Sequence, residues 1–146
     1  MKPDASSAPA TIDLNSLGLL ALRLFTGLSI SLAHGLGKLR DPDAFATGVA
    51  GMGLPLPGAA AWLAILSEFA GGLLIAAGLF TRPAAFMLAG TMTVAAFVAH
   101  AGDPFQKREL ALFYSIAAVT LLLAGAGRYS LDALIARKAA GHTPDA

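Results

Sequence analysis

The stretch Ala59 to Phe80, AAAWLAILSEFAGGLLIAAGLF, decides the fold. At a rise of about 1.5 Å per residue it makes a helix about 33 Å long, enough to cross a hydrocarbon core of about 30 Å. Its single charge is Glu68. Trp62, near its start, stands where interfacial aromatics belong. Three comparable stretches surround it. Leu17 to Leu39 has Arg23 as its only charge before the end; Pro83 to Ala99 has no charge and ends at His100; Glu109 to Gly127 has none after its first residue. A soluble bundle would show a polar face on each helix, and the third and fourth stretches show none. The expected fold class is therefore all-α: a polytopic membrane protein, a four-transmembrane-helix bundle.

The domain expected over residues 17–130 has spans at 17–39, 59–80, 83–100 and 109–127. A disordered tail (1–16), without apolar periodicity, precedes it. A polar tail (131–146) follows, helical from Ser130 through Lys138. Asn15 or Ser16 can cap the first span. Asp41-Pro42-Asp43 reads as a helix start, opening a short surface helix through Ala50 that Gly51, Gly53, Pro55, Pro57 and Gly58 break. Thr81-Arg82-Pro83 reads as a tight turn. Ser31-Leu32-Ala33 has the small-x-small form of a cleavage site. The region before it sets one Lys against Asp4 and Asp13, and Arg23 interrupts the apolar run, so the first stretch reads as a span and not as a cleaved leader.

Composition agrees. Of 146 residues 56% are hydrophobic and 13% charged, the latter about half the usual quarter; mean hydropathy is +0.69. So short a chain has a large surface for its volume, and too few polar side chains to cover it. Lipid is the partner this implies. A net charge of +1 excludes the basic field that nucleic-acid binding needs. The absence of cysteine excludes disulfides, thiolate metal sites, iron–sulfur ligation and thiol–disulfide catalysis. No metal site is expected.

The few ionisable groups inside the spans cost about 2.5–3.5 kcal/mol each on insertion scales, so they need a reason. With four spans both termini share one side. His34, Lys38, Glu68, His100 and Glu109 then converge in the other half of the membrane, as a polar pocket. Arg23, Gly27, Ser31, His34 and Lys38 fall at spacings that place them on one stripe of the first helix, facing the interior. Glu68, Gly72 and Ala76 repeat the pattern in the second. Glu68 is the best candidate for a proton-carrying group, although the catalytic residues are unassigned. Arg23 is deepest toward the termini side, where it can snorkel or form a structural ion pair with Glu68. Each histidine can equally serve a plain backbone contact, and Glu109 can be a helix N-terminal acid that complements the dipole. Two histidines are the minimum for a b-type haem, and nothing else signals one.

The residues that follow one another along the chain resemble the DoxX family of small four-span membrane proteins. They are Arg23-Leu24-Phe25-x-Gly27, His34-Gly35-x-x-Lys38-Leu39, Phe45, Gly53-x-Pro55, Glu68-x-x-Gly71-Gly72-Leu73-Leu74, Gly78-Leu79-Phe80-Thr81-Arg82, His100, Glu109 and Gly125-x-Gly127-x-x-Ser130-Leu131-Asp132. The resemblance implies an integral membrane protein of bacteria or archaea, associated with terminal oxidase, thiosulfate:quinone oxidoreductase or tolerance of quinones and oxidative stress. The leading expectation is a multi-pass protein of the bacterial inner membrane, its termini cytoplasmic. It would bind a quinone through His34, Lys38 and His100, and act as a subunit or accessory of an oxidoreductase partner. Two rivals stand beside it: a small-solute or proton-coupled carrier, for which four spans suggest a homodimer, and a structural assembly factor.

Overall fold

The computed structural model describes residues 12–141. The tail expected over 1–16 lies mostly outside these residues, as does the end of the C-terminal tail. All regular structure among the described residues is helical: α1 Leu14–Arg40, α2 Pro42–Ala50, α3 Pro57–Ala77, α4 Thr81–Ala99, α5 Phe105–Ala124 and α6 Leu131–Ala140. Helices α1, α3 and α4 are long and apolar enough to cross a membrane. Helix α5 has 20 residues, but Lys107, Arg108 and Glu109 occupy its first turns. It packs along α4, and α1 packs along α3. The starts of α1 and the end of α5 meet, where the Arg128 amide donates to Ser16 Oγ at 3.0 Å.

Local chemistry sets the boundaries. Helix α1 begins at Leu14, before the expected position, because the Asp13 carboxylate caps it. That carboxylate accepts from the amides of Asn15 at 3.1 Å and Ser16 at 3.2 Å. Asp41 caps α2 through Ala44 N at 3.1 Å, with Pro42 at the first helical position. The expected turn at Thr81–Pro83 is instead the first turn of α4, where a proline loses no intrahelical bond. Its N-terminus is capped from far along the chain. Asp132 Oδ1 accepts from Phe80 N at 2.8 Å and Oδ2 from Thr81 N at 3.0 Å, holding Phe80 at φ 47. Helix α5 starts at Phe105, not Glu109, and stops at Ala124 because Gly125 and Gly127 adopt positive φ.

Burial is inverted relative to a water-soluble protein. Phe25, Leu32, Leu63, Phe86, Phe97, Ile116 and Leu123 are exposed, while Arg23, Thr26, Ser31, Ser67, Glu68 and Thr81 are fully buried. Lipid is the solvent that makes both halves of this pattern favourable. The interior is filled by Ile30, Ile75, Ala85, Leu88, Tyr114, Ala118 and Leu121.

The α1–α3 contact is a backbone contact. A Cβ on Gly27 would meet Gly72 O, and Ala76 N at 2.6 Å. One on Gly35 would meet Phe69 N at 2.6 Å. Ser31 Oγ, between them, donates to Phe69 O at 2.8 Å. Two stretches depart from α geometry. In Ile30–Gly35 and Ala95–Ala99 the backbone takes wider π turns, seen where Leu36 N reaches Ser31 O and His100 N reaches Ala95 O. The second leaves Ala96 O without its usual partner, and Arg108 Nε donates to it at 3.0 Å.

Gly27→Ala should force the two backbones apart and destabilise by about 1–3 kcal/mol. Gly18→Ala, where nothing lies within 4 Å, should be neutral or gain up to about 1 kcal/mol. Thermal unfolding in detergent compares them; equal midpoints would refute the contact's importance.

Candidate functional site

The site is built where α1 and α3 meet above Gly35. Lys38 Nζ donates to Glu68 Oε1 in an ion pair. The Glu68 side chain is 2% exposed and that of Lys38 28%. The ammonium also lies 4.8 Å from the ring centroid of Phe45 on α2, a cation–π contact. Glu68 Oε2 is buried without a hydrogen-bond partner. Breaking a buried pair by removing one member typically costs about 3–5 kcal/mol, because the other charge is stranded.

Two cavities flank this pair. The larger, about 910 Å³, is a groove lined by apolar residues of α2, the following connector, α3 and α4, among them Phe45, Val49, Met52, Leu63 and Met87. The smaller, about 120 Å³, is a vestibule lined by His34, His100, Lys107 and Tyr114. Lys38, Glu68, Ala95 and His100 belong to both. The His34 ring meets the buried Tyr114 ring edge-on, centroids 5.8 Å apart. His100 is oriented from the loop: its Nδ1 lies 2.8 Å from Asp103 Oδ2, and Lys107 Nζ reaches Asp103 Oδ1 at 3.5 Å. An ionised carboxylate only accepts, so the ring proton sits on Nδ1. His34 lies within the π turn of α1 and His100 directly after that of α4. Such turns widen the helix and re-aim side chains, and they recur at functional sites.

Four of the residues expected in the pocket, His34, Lys38, Glu68 and His100, are thus brought together. Glu109 is not: the earlier start of α5 places it on an exposed face, and it lines neither cavity. The expected Arg23–Glu68 ion pair does not form either, since Lys38 takes Glu68. Arg23 lies at the termini end, fully buried, and donates through Nη2 to Tyr129 O at 2.6 Å. Gly78, where a Cβ would collide with the guanidinium, makes room for it, and the Asp132 charge acts on it. Sequence reasoning missed Tyr114, Lys107 and the groove. Tyr114 carries the only side-chain hydroxyl of an aromatic residue in its apolar run, which was the available signal.

The chain has relatives among known bacterial proteins. The DoxX family model matches residues 18–101. Inner membrane protein YqjF of Escherichia coli is 33% identical over 136 residues, covering 86% of this chain and 97% of that protein. An uncharacterized protein of Haemophilus influenzae is 34% identical over 115 residues, covering 74% of this chain and 73% of its own. No solved structure matches.

The His100 contact, chiefly its hydrogen bond and then the Lys107 charge, holds the Asp103 carboxyl below its ordinary value of 3.8. The sign follows: the ionised clasp stabilises the fold above about pH 4 and is lost as pH falls through the lowered folded value. Carboxyl-resolved NMR titration should find Asp103 below 3.8 in the native protein, and moved back toward it in His100→Ala. An unmoved titration would detach Asp103 from His100.

Proposed function

Since this chain belongs to the DoxX family, we propose that it is a four-span protein of the bacterial inner membrane that holds a quinone-type molecule as a subunit or accessory of an oxidoreductase. The observation that carries this reading is the pair of cavities joined at Lys38, Glu68 and His100. An apolar groove beside a small polar vestibule suits an amphiphile, with the ring's oxygens among polar side chains and the tail along the groove. Lys38 uses one of its three ammonium hydrogens on Glu68, leaving others for a ligand oxygen. Tyr114 and Lys107 add further donors. Glu68 lines both cavities, which supports it as the group that exchanges a proton with such a ligand. The redox chemistry itself would come from the ligand and the partner.

Helix α5 serves as the fourth span. Its charged first turns lie at one rim, with Arg108 folded back over the Phe97 ring, its charge 5.2 Å from the centroid. Arg82, Arg128, Arg137 and Lys138 mark the termini side; Arg40, Lys107 and Arg108 mark the other, because Lys38 is committed to the site. The excess favours cytoplasmic termini.

Quinone and hydroquinone together, extracted from purified wild-type protein, should exceed the amount from Glu68→Gln or His100→Ala by about tenfold, the equivalent of one lost charge-assisted hydrogen bond. Equal content in all three would sink the reading. The chain has no cysteine, so single cysteines report topology directly. In intact cells an impermeant maleimide should label Gln106→Cys and spare Lys138→Cys until lysis. The reverse pattern would invert the orientation.

A further inference from the structure

We propose that this site prefers the reduced, hydroxyl-bearing form of a lipid-soluble quinone over the oxidised, carbonyl-bearing form. The proposal rests on the quinone reading and adds the redox state that is bound.

It follows from an inventory of unmet hydrogen bonds. Glu68 Oε2 is buried and has no partner. A carboxylate oxygen can only accept, so nothing but a donor satisfies it. His100 adds a second acceptor. Its Nδ1–H donates to Asp103, so in this tautomer Nε2 carries the lone pair. Both side chains line both cavities. A quinone ring brings carbonyl oxygens, which are acceptors alone. Set beside Glu68 it can accept a hydrogen bond from Lys38 Nζ, but it leaves Oε2 unsatisfied and adds lone pairs facing it. A hydroquinone meets both demands with one group. Its O–H donates to Oε2 while its oxygen accepts from Lys38 Nζ, so that the hydroxyl bridges the ion pair. Its second hydroxyl can donate to His100 Nε2. The groove takes the tail of either form equally, so selectivity arises at the head. Binding alone is invoked: no bond is broken and no electron moves.

Three probes with the same ten-carbon tail test this under anaerobic conditions, on the full chain in lipid nanodiscs: a benzoquinone, its hydroquinone and a redox-inert alkylphenol. Bound fractions are measured by filtration and chromatography. The hydroquinone and the alkylphenol should bind about tenfold more tightly than the quinone, as a charge-assisted hydrogen bond gained by one form alone implies. The bound couple should then titrate about 30 mV above the free one. Glu68→Gln, whose amide offers a donor as well as an acceptor, should reduce the preference to about twofold or less. The midpoint is read on the unmodified protein, so the outcome does not depend on how well that variant folds. Quinone bound as tightly as hydroquinone, or a midpoint at or below the free value, overturns the preference and leaves the quinone reading standing. If none of the three probes binds, the quinone reading itself falls, and this inference with it.

Discussion

The close approach of α1 and α3 is the constraint on which the rest depends. Gly27, Gly72 and Gly35 let two backbones touch, and no larger residue fits between them. Lipid supplies no hydrophobic force to drive helices together, so dispersion contacts of this kind and interhelical hydrogen bonds must do it. The Ser31 bond to Phe69 O fixes the register of the crossing. Glu68 precedes Phe69, and Lys38 lies one turn beyond Gly35. The same contact that joins the helices therefore carries the ammonium to the carboxylate.

The Lys38–Glu68 pair reads differently in this setting from a surface salt bridge. Its carboxylate is withdrawn from solvent while its ammonium stays partly exposed beside Phe45. A pair of this kind offers little as pure stabilisation, because desolvation offsets the Coulomb attraction. It makes physical sense as a polar wall between an apolar groove and a polar vestibule. The widened turns of α1 and α4 flank that wall, one holding His34 and the other leading into His100. Departure from regular helix is thus concentrated where polar side chains converge.

Much of this was legible in the amino-acid order. The apolar run around Glu68 identified a membrane helix, and the spacing from Arg23 to Lys38 identified the interior stripe, because helical periodicity is local. The meeting of His34, Lys38, Glu68 and His100 followed from depth alone. What depth could not say was which cation faces Glu68. Arg23 and Lys38 lie on the same stripe, and only the α1–α3 register separates them, placing Arg23 at Tyr129. Glu109 misled because α5 begins at Phe105, before the apolar run, and carries Glu109 on its exposed face. The groove was hidden because α2 and its connector fold over α3 and α4, a tertiary event with no periodic signature. The π turns carry no proline or other local mark.

The Arg23 contact has a consequence for how the chain is made. Its hydrogen-bond partner lies 106 positions further on. Synthesis proceeds from the N-terminus, so the first helix enters the bilayer before Tyr129 and Asp132 exist. During that interval the guanidinium must be held by headgroups, water or the insertion machinery, at an expense of about 2.5–3.5 kcal/mol if it reaches the membrane centre. The debt is cleared only when the last segment arrives and seals Gly78, Phe80 and Thr81 with the same aspartate. Assembly of this bundle is therefore closed by its C-terminal segment. A chain stalled short of it would leave a buried charge exposed to the membrane's quality control.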